Sequence, residues 1–101
     1  MNRKFEAVIK DFTWRFLIKN NLISEFDINN GLCDDWATGI NKLFPKSIIF
    51  ATPDYYFEKY DWAVGHYWIK YKGKHYDAEN LSGVKNWKNL LIFKDKRLKN
   101  D

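Results

Sequence analysis

The sequence predicts an α+β fold in which an N-terminal helix and a cysteine-bearing helix pack on a small antiparallel β-sheet. Three observations predict it. Residues 2–21 place Phe5, Val8, Ile9, Phe12 and Phe16 at helical spacing. Residues 33–44 do the same with Cys33, Ala37, Ile40 and Phe44. Residues 65–80 alternate apolar and polar side chains on both sides of Lys72-Gly73.

The first helix carries Arg3, Lys4, Glu6, Lys10 and Asp11 opposite its apolar stripe and is stopped by Asn20-Asn21. Trp14, Leu17 and Ile18 widen the stripe, so contact with two elements is expected. A core-packing helix is the expectation, a membrane-surface or partner helix the alternative. Residues 22–32 mix apolar anchors with turn formers and end in Asn29-Asn30-Gly31, a loop that delivers the chain to the second helix. That helix turns Asp34, Asp35, Asn41 and Lys42 to water and is ended by Pro45. Residues 47–52 form a short apolar, β-branched run between Pro45 and Pro53 and predict a buried strand. Residues 54–62 join aromatic and charged side chains without a clean period, as a loop walling a cleft would, or a ragged edge strand.

Glycine at position 73 supplies the left-handed backbone that a tight hairpin turn needs. With Lys72-Gly73 as the whole loop, Tyr71 faces Lys74, Ile69 faces Tyr76 and Trp68 faces Asp77. His66 then lies diagonal to Asp77 on the same sheet face. A loop longer by two residues puts them directly opposite, whereas a one-residue slip separates them. Residues 80–83 are expected to turn. In residues 84–93, Trp87, Leu90 and Leu91 fit one helical turn on the sheet, and residues 94–101 make a frayed charged tail.

Composition bounds the rest. A chain of 101 residues is expected to be one domain, 1–101, that buries about 65% of its unfolded surface without disulfide or metal. Five Trp, six Tyr and eight Phe make the core rich in rings that bury about 150–250 Å² each. A single cysteine forms no internal disulfide, no basic-apolar leader is evident and no run spans a bilayer, so a cytoplasmic setting without membrane attachment is expected. A net charge of +4, spread along the chain, does not by itself indicate nucleic acid. One Cys and two His make a poor metal set, and no cofactor is implied.

What remains is a thiol, an imidazole and a carboxylate. Cys33 begins a helix, where free backbone N–H groups and the positive dipole end lower a thiol pKa. His66 on one strand and Asp77 on the next have the parity that lets a carboxylate hold an imidazole in one tautomer, as a general base beside a nucleophile requires. Each residue alone has an ordinary reading: a small buried hydrophobe, a packed histidine, a turn cap. His75 faces Lys70 nearer the turn and is the poorer base. Glu79 shares the face of Asp77 and is the alternative orienter.

The motifs Gly31-Leu-Cys33-Asp-Asp-Trp36-Ala37, Gly65-His66-Tyr67-Trp68 and Gly73-Lys-His-Tyr-Asp77 resemble the core of the papain-like cysteine peptidase superfamily, most closely its transglutaminase-like branch. The resemblance covers residues 29–80. It implies a papain-like fold and thiol acyl chemistry: hydrolysis of a peptide, isopeptide or amide bond, or acyl transfer to an amine, on a protein or peptide. Cys33 is then the nucleophile, His66 the base and then the acid, and Asp77 the orienting group. The chain contains no glutamine, so the side-chain oxyanion donor of papain-like enzymes is missing. The Cys33 N–H, assisted by Asn29 or Asn30, is the expected substitute, and an enzyme with none loses about 10²–10³ in turnover. Trp36, Tyr55, Tyr56, Tyr60, Trp62 and Trp68 are candidates for a substrate wall, with core packing as the other reading. The competing function is a catalytically silent member of the same fold that binds a protein, or weakly a nucleic acid, as an accessory or inhibitor of bacterial or bacteriophage type.

Overall fold

A computed structural model describes residues 2–60 and 65–94. Helices α1 (Arg3–Lys19), α2 (Glu25–Asn29) and α3 (Cys33–Leu43) precede strand β1 (Ile48–Ala51). Helix α4 (Asp54–Lys59) separates β1 from β2 (Tyr67–Tyr71), β3 (Lys74–Asp77) and β4 (Asn80–Val84). A 3₁₀ turn (Trp87–Asn89) and α5 (Leu91–Lys94) follow. The four strands make one antiparallel sheet in the order β1-β2-β3-β4.

Both sheet faces are covered. Alternation along β2 and β3 turns Ile69, Tyr71 and Tyr76 toward Phe5 and Ile9 of α1 and Trp36, Ala37 and Ile40 of α3. Trp68 on the other face meets Tyr56 of α4, Trp87, Leu90, and Ile92 and Phe93 of α5. The Phe5 ring stacks on Tyr71 at 4.1 Å between centroids and meets Tyr76 edge-on at 4.9 Å, seating the first helix on the hairpin.

The hairpin has the two-residue loop, with Tyr71 opposite Lys74 and Ile69 opposite Tyr76. Lys72 and Gly73 both take positive φ, 46° and 84°, as the primed turn requires. Elsewhere the structure corrects the reading. Residues 22–32 contain α2, begun where the Asp27 carboxylate accepts the backbone N–H groups of Ile23 and Ser24. The strand in 47–52 is an edge strand with Ile48 and Ile49 exposed, since it pairs only with β2. Residues 54–59 are helical: Tyr56 alone turns inward while Tyr55 and Phe57 stay exposed, too short a helix to show a period.

Residues 80–83 form a strand, and the turn falls at Ala78-Glu79. Gly83, at φ +79°, stands opposite a register irregularity between His75 and Asp77. A bulge glycine thus gave a strand the composition of a turn. Trp87 and Leu90 do pack on the sheet, but Leu91 is exposed and Phe93 takes the inward place. Trp14 and Ile18 of α1 are likewise exposed, but Leu17 is buried in the core, and α1 meets more than one element, packing on α2, α3 and β4. No described helix is long and apolar enough to cross a membrane. Beyond Lys94 the charged tail lies outside the described residues.

Candidate active site

Cys33 is the first residue of α3. The first intrahelical bond in that turn runs from the Trp36 N–H to the Leu32 carbonyl, 3.0 Å. The N–H groups of Cys33, Asp34 and Asp35 therefore precede the ladder. The thiol is half-buried. It opens on a cleft of about 400 Å³ lined by Asn29, Asn30, Gly31, Cys33, Asp34, Gly65, Tyr67 and Ile92.

His66 comes just before β2, and its backbone is pinned to the strand end beyond β1. Its N–H donates to Thr52 Oγ1 at 2.9 Å, and its carbonyl accepts from the Thr52 N–H at 3.0 Å. Its ring stacks on Trp68 and meets the Phe93 edge, both at 5.8 Å. Nε2 lies 2.9 Å from Asp77 Oδ2, with both side chains buried. The other carboxylate oxygen, Oδ1, accepts the Glu79 N–H at 3.0 Å and Asn80 Nδ2 at 2.9 Å. Three donors thus orient Asp77. With its carboxylate ionised, the neutral ring carries its proton on Nε2, leaving Nδ1 as the basic nitrogen. Nδ1 has no conventional hydrogen-bond partner and is left for the Cys33 thiol, whose interaction with the ring shifts both groups.

For His66, burial disfavours the charged ring, but the hydrogen bond to Asp77 and the neighbouring Cys33 sulfur outweigh it and push the pKa up to about 9. For Cys33, burial raises the thiol pKa and Asp34 adds to the rise. The His66 side chain and the backbone N–H of Tyr67 outweigh both, so the thiol ionises below its ordinary value. Tyr67 can donate to sulfur because β3 ends at Asp77: in the observed register its neighbour would be residue 78, already in the turn. Opposed shifts of this kind favour a thiolate beside an imidazolium.

The site residues expected from sequence divide sharply. Cys33, His66 and Asp77 come together. His75 does not join them: its Nδ1 accepts the Trp68 indole N–H at 2.9 Å, and Phe50 meets it edge-on at 5.4 Å. Glu79 accepts Asn29 Nδ2 at 3.0 Å, and its backbone N–H donates to Asp77. Asn29 and Asn30 do line the cleft, but Asn29 aims its amide nitrogen at Glu79, and Tyr67 supplies the second backbone donor at sulfur.

Most of the aromatic wall belongs to the core. Trp36 is buried with its indole N–H on Thr13 Oγ1 at 2.9 Å, Trp68 is buried against His66 and Trp87, and Tyr56 is buried against Tyr60 and Phe93. Tyr55 is exposed on α4, and Tyr60, its C-cap, packs on Tyr56; neither lines the cleft. Trp62 lies outside the described residues. Gly65, Tyr67, Ile92 and Asn80 were missed. The first two flank His66, and Asn80 stands three residues after Asp77, a spacing at which an amide reaches back to a carboxylate. Nothing in sequence marks Ile92.

No protein-family model, curated protein or solved structure matches the chain.

Proposed function

We propose that this chain is a small thiol-dependent hydrolase or acyltransferase of papain-like, transglutaminase-like type that acts on a peptide, isopeptide or amide bond. One observation carries the reading. A thiol on the first residue of a helix, beside an open cleft, engages an imidazole whose far nitrogen is 2.9 Å from a buried, fully hydrogen-bonded carboxylate.

The Cys33 thiolate attacks the acyl carbon and forms a C–S bond. The N–H groups of Cys33 and Tyr67 are the donors for the developing oxyanion. His66 Nδ1 gives its proton to the leaving nitrogen as the C–N bond breaks, and a thioester remains. Water or an amine then attacks the thioester, His66 takes the attacker's proton, and the C–S bond breaks to regenerate the thiolate–imidazolium pair. Asp77 holds the ring through both proton transfers without itself gaining a proton.

The test is acyl-enzyme formation from p-nitrophenyl acetate, followed by intact mass and peptide mapping. The expected result is one acetyl group on Cys33 that turns over, with a rate at least about 10²-fold lower in His66→Ala. Acetylation confined to lysines, or an equal rate in His66→Ala, would leave the non-catalytic binding protein as the surviving reading.

A further inference from the structure

On the sheet face that carries Trp68, one row nearer the hairpin turn, the register sets Ile48, Lys70, His75 and Val84 side by side across the four strands. Ile48 is exposed there and Lys70 half-buried. No carboxylate answers the charge. Asp77, the one acidic residue in the strands, is bonded to His66 at the thiol end. Among the described residues Lys70, Lys72, Lys85 and Lys88 make no ion pair, whereas Lys74, on the opposite face, stands 3.8 Å from Glu6. Two of these ammonium groups lie over rings instead: Lys70 Nζ is 5.8 Å from the Phe50 centroid and Lys88 Nζ 5.7 Å from that of Trp87. Both rings are half-buried and flank Trp68, at 5.9 and 5.4 Å. His75 is only 6% exposed, and its Nδ1 accepts the Trp68 indole N–H, so the ring proton sits on Nε2. That N–H has no partner among the described residues. Nor is it sealed, since the buried ring nitrogen left without one is His66 Nδ1. The fold thus orients a donor, leaves it unmet and opens it to solvent beside an unpaired ammonium.

We propose that this face binds a single-stranded nucleic acid, with a backbone phosphate on Lys70 Nζ and the His75 Nε2–H, a second phosphate on Lys88, and bases stacked against Phe50 and Trp87. Ammonium groups paired with flat rings suit a chain that alternates phosphate and base. An acidic polypeptide would engage the lysines and leave the rings unmatched. The net charge of +4 is thus less telling than its placement, on a stretch of sheet without acids. This site does not rest on the thiol chemistry, because Lys70 and His66 lie toward opposite ends of β2.

The experiment follows the fluorescence anisotropy of a labelled oligouridylate of about 12 nucleotides titrated with the full chain at about 50 mM salt. The double variant Lys70→Ala, Lys88→Ala is expected to bind about tenfold or more weakly. The double variant Lys10→Ala, Lys19→Ala removes the same charge from exposed positions on α1 and should stay within about twofold of wild type. An oligomer of the same length without bases should bind wild type about tenfold more weakly. In proton–nitrogen correlation spectra of wild type, the His75 ring and the Trp87 indole should shift on titration while the Trp36 indole, in the other core, holds its place. Absent binding, equal losses in the two double variants, or spectra in which neither His75 nor Trp87 moves overturn the proposal. Equal affinity for the oligomer without bases overturns it as well, since the rings would then take no part. Displacement by an oligoglutamate peptide at equal charge concentration overturns it in favour of an acidic polypeptide.

Discussion

At the scale of single residues, the chemistry rests on a contest between burial and hydrogen bonding. Burial alone would leave Cys33 a neutral thiol and His66 a neutral ring; Asp77, reached through Nε2, turns the balance for the ring, and the ring together with the Tyr67 N–H turns it for the thiol. The shifts have a consequence for stability whose sign is definite. A histidine raised from 6.5 to about 9 in the folded chain contributes stability that is full below the unfolded value and is lost as the pH rises through the folded one. The urea midpoint of wild type should therefore exceed that of His66→Ala most at the acid end of this window, with the gap narrowing toward pH 9. A gap that widens over the same range contradicts the assignment. Cys33, lowered, works the other way, adding stability above the ordinary thiol value and losing it as the pH falls through the folded one. The three residues that meet at the candidate site were legible in sequence because parity and order constrain them. Asn80 and the Tyr67 N–H were not, since each depends on where β3 stops, and strand ends are the least visible feature of a sequence.

At the scale of elements, the hairpin was legible nearly residue for residue because two-residue turns fix register and alternation fixes face. The helices α1 and α3 were legible from their apolar spacing. The fourth strand was hidden by its own glycine. Gly83 meets two demands that no other residue satisfies: a φ of +79° and a Tyr76 ring 2.8 Å from where Cβ would sit. Gly83→Ala should destabilise the fold by about 1–3 kcal/mol in urea denaturation, whereas Gly31→Ala should fall within about 0.5 kcal/mol of wild type. Equal effects at the two positions would mean that the bulge does not set the register of β4. The edge strand β1 illustrates a different blind spot. An apolar run between two prolines announces a strand, but burial depends on neighbours that lie far away in sequence.

At the scale of the whole molecule, the sheet divides two aromatic cores with different duties. The larger one, around Phe5, Trp36 and Tyr76, seats α1 and α3 and so places the thiol at the sheet end. The smaller one, built from Tyr56, Trp68, Trp87 and Phe93, covers the imidazole. The ring-rich composition announced a core of large side chains, but could not say that four of the six proposed wall residues pack instead of line the cleft. That division is set by α4, α5 and the 3₁₀ turn, whose short lengths carry little periodic signal. Phe93 joins this cover to the site, with its ring edge-on to Tyr56, His66, Trp68 and Trp87. Phe93→Ala should cost about 3–5 kcal/mol in urea denaturation and expose the imidazole to water, whereas truncation of exposed Tyr55 should change stability by less than about 0.5 kcal/mol. Comparable losses at both positions would contradict the division into cover and surface.

The most direct measurement of the central claim is the pH dependence of Cys33 alkylation by iodoacetamide, in wild type and in His66→Ala. A thiolate sustained by imidazolium predicts an ionisation midpoint below the model-peptide thiol value of about 8.5 in wild type, a midpoint shifted upward in His66→Ala, and at neutral pH a rate about tenfold or more lower in the variant. Superimposable curves with the midpoint of a free thiol would show that sulfur and ring share a neighbourhood without sharing a proton.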